Sequence, residues 1–202
     1  DNPWWEFSSG IETKIRNPLQ RDLFPAFFRR VQELGGGKGL VLAGTLGAGK
    51  TVMLRQVVAR LIDTGVAPAA VLYCSLAAPL YTGFDLARLL EIFMSRHGHG
   101  RESELYLLFD EVQYAKNWRQ KMQAMAAEWP KARLIGAVSS VAPAICTGDS
   151  TFVLPALSFP EFLRFRSVEE KLFGDSQAGS ALKVQEGAIG ALNAEFHRYV
   201  NS

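Results

Sequence analysis

Gly44-Thr45-Leu46-Gly47-Ala48-Gly49-Lys50-Thr51 meets every fixed position of the phosphate-binding pattern GxxxxGK(S/T). Before it, Gly39-Leu40-Val41-Leu42-Ala43 is a short run of buried-strand character, and after it Leu54, Val57, Val58, Leu61 and Ile62 recur at helical spacing. Strand, glycine loop and helix form the context this pattern needs; without it the match is only a glycine-rich turn. The spacing also predicts the chemistry. Gly44, Gly47 and Gly49 lack a Cβ, so the loop can curl with backbone N–H groups pointing inward around an anion, at the positive end of the following helix. Lys50 would reach the β- and γ-phosphates, and the Thr51 hydroxyl would complete the shell of a magnesium ion on the same oxygens. The backbone of Gly44, Thr45, Leu46, Gly47, Ala48, Gly49, Lys50 and Thr51 is therefore the expected nucleotide cradle.

Composition sets the frame around this loop. With 202 residues and 48% hydrophobic content, the chain can build one α/β domain with a full core, or that domain plus an appendage. The formal net charge is +2 and the basic residues are dispersed, so nothing supports a nucleic-acid partner, although composition does not exclude one. Cys74 and Cys146 lack a CxxC spacing and sit among apolar residues, as reduced thiols of a cytoplasmic protein do. No apolar run approaches a membrane span, and the first residues lack a secretion pattern.

Trp4, Trp5 and Phe7 form an aromatic cluster read as capping a core edge. Asn17-Pro18 is a helix start from which Leu19, Leu23, Phe27, Val31 and Leu34 trace one apolar face, with a bend expected at Pro25. Gly35-Gly36-Gly37 ends that helix. A second strand is expected over 69–74, a helix over 85–96, and a solvated loop at His97-Gly98-His99-Gly100, where no carboxylate or cysteine stands at metal-ligand spacing.

Leu105-Tyr106-Leu107-Leu108-Phe109 runs into Asp110-Glu111, a hydrophobic strand ending in two carboxylates. In a parallel sheet, strand ends and the first turns of the following helices share one edge, so Asp110 can approach Thr51 and orient magnesium. Glu111, the next residue, can face the γ-phosphate and polarise a water for in-line attack. A helix opens at Asn117-Trp118, and a further strand over 132–138 ends in Ser139-Ser140. Either serine can hydrogen-bond the attacking water or the γ-phosphate, or simply cap a turn; Ser139 is the chosen candidate. Thr151-Phe152-Val153-Leu154 reads as a fifth strand, and Ser158-Phe159-Pro160-Glu161 as a capping box. The last helix carries Ile189, Leu192, Phe196 and Tyr199 on one stripe.

On these pieces the chain resembles the predicted prokaryotic AAA-superfamily ATPases, whose ATPase core is followed by a separate carboxy-terminal domain. The likeness rests on Asn2-Pro3-Trp4-Trp5, the phosphate loop, Leu108-Phe109-Asp110-Glu111-Val112-Gln113 with Trp118 after it, the double serine, and the block from Leu154 to Leu163. It implies an α/β P-loop fold with a five-stranded parallel sheet between helices, the acidic strand not adjacent to the phosphate-loop strand. It also implies ATP as nucleotide, Lys50 and Thr51 on phosphate and magnesium, Asp110 on magnesium, Glu111 as the water-activating base and a serine as sensor. The chain departs from the family at Thr45, Leu46 and Ala48, where arginines are frequent, at Ala137-Val138 before the serines, and at Gly148-Asp149, where a Gly-Arg pair is usual. Arg164 and Arg166 are the candidates for that missing arginine.

The expected organisation is an aromatic and helical segment over 1–38, a P-loop ATPase core over 39–165, and over 166–202 the start of a lid or linker. Because the chain begins at Asp1 and stops where the second domain of its relatives would stand, we expect the ATPase half of a longer protein. The leading functional expectation is Mg-ATP hydrolysis coupled to conformational change in a partner or attached domain, with homo-oligomer formation open. The alternatives are a nucleotide-gated binding or scaffold module with little turnover and a small-molecule kinase. Glu111 beside Asp110 argues against the kinase, which needs no residue to activate water, and no NKxD guanine-reading motif follows the acidic strand.

Overall fold

The computed structural model describes residues 2–6, 19–81, 85–139, 151–166 and 189–200. The readings at Phe7, Asn17-Pro18, Ser140, Cys146 and Gly148-Asp149 lie outside these residues. The elements in chain order are α1 (Phe24–Glu33), β1 (Lys38–Gly44), α2 (Lys50–Asp63), β2 (Val71–Ser75), α3 (Leu86–His97), β3 (Leu105–Asp110), α4 (Trp118–Glu128), β4 (Ala132–Ser139), β5 (Thr151–Leu154), α5 (Phe159–Phe165) and α6 (Ile189–Val200).

The five strands form one sheet in the order β2-β3-β4-β1-β5, and every neighbouring pair is parallel. Parallel strands need both faces covered, which is why they read as unbroken apolar runs rather than alternating ones. Side-chain alternation sorts each run onto two cores. Leu40, Leu42, Tyr73, Leu108, Ile135 and Ala137 pack with α1 and α2 on one face. Val41, Ala43, Leu72, Leu107, Phe109, Leu134 and Val138 pack with α3 and α4 on the other. The acidic strand β3 is separated from the phosphate-loop strand β1 by β4, as the resemblance implies.

The first helix differs from expectation. It begins at Phe24 with Pro25 in its first turn, so Pro25 starts the helix instead of bending it. Proline suits the first turn because its missing N–H would have no intrahelical acceptor there. Leu19 falls outside the helix and is 42% exposed, while Phe24, Phe27, Phe28 and Val31 form the buried face.

β2 is an edge strand, and its free backbone groups are occupied by the opening block of the chain. The Asn2 side-chain amide donates to the Tyr73 carbonyl (3.0 Å) and accepts from the Tyr73 N–H (2.7 Å). Both the Trp4 and Trp5 indole N–H groups donate to the Val71 carbonyl (3.1 and 3.0 Å). The aromatic cluster thus packs at a core edge, as read, and also blunts an edge that would otherwise invite strand addition. Trp5 continues into a ring stack with Phe93 and His97. His97 and His99 are correspondingly half-buried, and the His99 Nε2 lies 2.7 Å from the Ala69 carbonyl, so the two rings pack while Gly98 and Gly100 between and after them are exposed, as expected of a solvated loop.

The chain divides into two compact units, Asp1–Ala156 and Leu157–Ser202. Inside the second, the Ser158–Glu161 capping box is formed in both directions and opens α5. Phe159 and Phe162 of α5 pack with Phe196 and Tyr199 of α6, which gives the expected terminal stripe its partner. The Tyr199 hydroxyl closes the arrangement on the Leu157 carbonyl (2.8 Å).

Candidate functional site

The phosphate loop leaves β1 at Gly44 and enters α2 at Lys50. Its glycines serve two different needs. Gly47 and Gly49 have φ of 80° and 91°, a backbone region that side chains disfavour. At Gly44 the demand is for space: a Cβ there would stand 2.5 Å from the Leu154 carbonyl oxygen of β5. Thr45, Leu46 and Gly47 form the exposed crest, Ala48 is buried, and Thr51 is half-buried in the first turn of α2. Lys50 is only 3% exposed, and its ammonium donates to the Gly44 (3.1 Å) and Thr45 (2.7 Å) carbonyls. Burial pulls its pKa below the ordinary lysine value, while the charges of Glu111 and Asp110 oppose that pull. Lysine and both carboxylates therefore belong to one electrostatic site.

Asp110 ends β3 on the face that packs against α2, and it is 1% exposed. Its Oδ2 accepts from the Tyr73 hydroxyl (3.0 Å) and its Oδ1 from the Glu111 N–H (3.0 Å). Burial, reinforced by the Asp110 charge, raises the Tyr73 pKa, so Tyr73 stays a neutral donor. The guanidinium of Arg55, one turn into α2, lies 5.7 Å from the Tyr73 ring centre.

Glu111 adopts φ 53°, ψ 47°, a left-handed conformation uncommon outside glycine and asparagine. The turn frees its side chain from the strand's alternation. Its Oε1 accepts from the Ser139 hydroxyl (2.8 Å) and its Oε2 from the Gln113 side-chain amide. The Ser139 N–H in turn donates to the Gln113 Oε1 (3.3 Å), closing a ring of three residues over the ends of β3 and β4.

Among the sequence candidates, the structure thus joins Glu111 to Ser139, and Lys50 to the field of both carboxylates. Arg166, a candidate for the missing arginine, is engaged with Glu195 in the second unit (3.4 Å). Three site neighbours carry no role that the sequence alone displays. Gln113 lies in the quoted Asp110–Gln113 block, so its position beside a catalytic candidate was the available signal. Tyr73 is hidden in an apolar run, and its neighbourhood with Asp110 comes only from the pairing of β2 with β3, where Ser75 stands opposite Asp110. Arg21, whose guanidinium donates to the Ala48 carbonyl of the loop (2.6 Å), carries no local motif at all.

Asp110 and Thr51 are hard oxygen donors, the type magnesium takes. Among the described residues no group of three or more His, Cys, Asp and Glu could hold a metal by itself. Among the described residues no helix is long and apolar enough to cross a membrane.

A family model described as an AAA domain matches residues 37–163, from the residue before β1 to within α5. The chain belongs to this family. It is a P-loop domain of the AAA superfamily, of the nucleotide-binding ATPase type, and its α/β parallel sheet carries the strand order implied by resemblance. Three solved structures are similar. A DNA replication initiation factor is 13% identical, with 95% of this chain and 65% of that chain covered and a TM-score of 0.51. PCH-2 of C. elegans is 11% identical over 89% and 56%, with a TM-score of 0.51. The replication initiator DnaA bound to AMPPCP and single-stranded DNA is 14% identical over 95% and 64%, again at 0.51. At these identities the likeness concerns the fold alone, and the chain spans between 56% and 65% of those structures' length. No curated protein matches the sequence.

Proposed function

We propose that this AAA domain binds ATP with magnesium and hydrolyses it, and that the cycle drives a conformational change passed to a partner or to an attached domain. The observation that carries the reading is the Glu111 carboxylate, turned out of its strand and held by Ser139 and Gln113 beside the phosphate loop. The loop amides of 44–51 and Lys50 bind the phosphates, and Lys50 gives up its bonds to the Gly44 and Thr45 carbonyls to do so. Thr51 and Asp110 would hold magnesium, which when bound neutralises charge on the phosphate oxygens. Tyr73 orients Asp110 through its second oxygen, the role that outer-shell donors have at metal sites. Glu111 accepts a proton from the attacking water, and Ser139 steers that carboxylate. The protein works in the cytoplasm, and a neighbouring copy is one source of the arginine that Gly148-Asp149 does not supply.

A second reading, the nucleotide-gated module with little turnover, is favoured by the same ring: both Glu111 oxygens are already accepting hydrogen bonds. Phosphate release under magnesium and ATP separates the two. Hydrolysis predicts turnover in wild type that falls by about 100- to 10,000-fold in Glu111→Gln, the usual worth of a general base. ATP binding in wild type without phosphate release would instead establish the gated module.

A further inference from the structure

One cation grips the phosphate loop from outside. Arg21 precedes α1, is 6% exposed, and donates from Nη1 to the Ala48 carbonyl at 2.6 Å. The same guanidinium donates to the Pro155 carbonyl (3.3 and 3.2 Å) and the Ala156 carbonyl (3.2 Å), just after β5. A planar fork with fixed donor directions is what holds three carbonyls from two segments at once, a task beyond the single ammonium of lysine.

The bond to Ala48 has a consequence inside the loop. The described backbone contains no cis peptide, and in a trans peptide the carbonyl and the following N–H point in opposite directions. Fixing the Ala48 carbonyl on the guanidinium therefore turns the Gly49 N–H away from Arg21. Gly49 sits at φ 91°, with open space where a Cβ would be, so nothing on its own side chain restrains that peptide. The Ala48 carbonyl is therefore the point at which a side chain restrains that peptide.

We propose that Arg21 is a positioning residue for nucleotide binding: it aims the Gly49 N–H into the hollow of the loop and locks the loop to the 155–156 segment. The proposal rests on the reading of 44–51 as the ATP site. Without the fork, the Ala48 carbonyl loses its anchor, and among the described residues the Ala48–Gly49 peptide is held only by the flanking bonds from the Ala48 N–H to the Thr45 carbonyl (3.3 Å) and from the Met53 N–H to the Gly49 carbonyl (2.9 Å).

The test compares wild type, Arg21→Lys and Arg21→Ala as the full chain. It measures ATP affinity with magnesium, melting temperature, and the amide resonance of Gly49 in protein labelled with ¹⁵N-glycine. Arg21→Lys keeps the charge and is the variant that carries the test if the alanine variant does not fold. The expected result is ATP affinity about 10-fold weaker in folded Arg21→Lys, the scale of a lost charge-assisted hydrogen bond, with a shifted Gly49 resonance before nucleotide is added. A merely structural role would lower the melting temperature and leave both readouts of the folded protein unmoved; affinity within about twofold of wild type with an unshifted Gly49 resonance overturns the proposal. A wild type that does not bind ATP would overturn the reading of the loop itself.

Discussion

The two halves of the site are built on opposite principles. The phosphate-loop half is made of backbone: glycines at 47 and 49 in conformations side chains disfavour, Gly44 pressed against the Leu154 carbonyl, and two buried cations tied to loop carbonyls. The acidic half is made of side chains that converge from three strands and the turn after one of them: Tyr73 from β2, Asp110 from β3, Glu111 just beyond it, and Ser139 from β4. The backbone half is contiguous and specifies where an anion sits. The side-chain half is assembled only by the sheet, and it specifies what happens there. Binding and chemistry can therefore be broken separately.

After the loss of turnover expected of Glu111→Gln, the largest separable effect is on binding, in the backbone half. Lys50→Ala removes the one ammonium inside the loop, and a charge-assisted contact of about 1.5–3 kcal/mol corresponds to a loss of roughly 10- to 150-fold in ATP affinity. Titration calorimetry with magnesium and ATP checks it, and unchanged affinity would place the phosphates elsewhere. Next, Tyr73→Phe leaves the ring in its core and removes only the hydrogen bond to Asp110. Its expected effect is confined to the metal: magnesium enhances nucleotide affinity at concentrations about 10-fold higher than in wild type, while affinity without magnesium stays the same. The smallest effect is expected from Ser139→Ala, which removes one of the donors on Glu111. Turnover should fall by about 3- to 10-fold, the worth of one hydrogen bond near 1 kcal/mol, with ATP affinity unmoved. A binding defect in Ser139→Ala would mean that the two halves are not separable.

This division also explains what was legible in the sequence. The backbone half could be read because glycine spacing is a local property: the loop's conformation is dictated by residues 44–51 and needs no distant partner. The strands β1 to β4 could be read because each is an apolar run buried on both faces, β5 from its short apolar run alone, since only Leu154 in it is buried, and Asp110-Glu111 because the run ends in charge. Tyr73 was invisible as a site residue, since an apolar run with one hydroxyl reads as core until the β2–β3 pairing puts it beside Asp110. Arg21 was invisible for the same reason on a longer scale, because its acceptors are 27 and 134–135 residues away. Pro25 reads as a bend in the sequence because proline suits both a bend and a first turn, and only the end of the buried face at Phe24 decides between them.

The central claim is that Glu111 does chemistry on a nucleotide the loop already holds. It is tested most directly by identifying the nucleotide retained after incubation with magnesium and ATP, separation from free nucleotide, and acid quench. Wild type should yield ADP, and Glu111→Gln should yield ATP at comparable occupancy. ADP in both samples, formed at the same rate, would contradict the account, since the water would then be activated without Glu111.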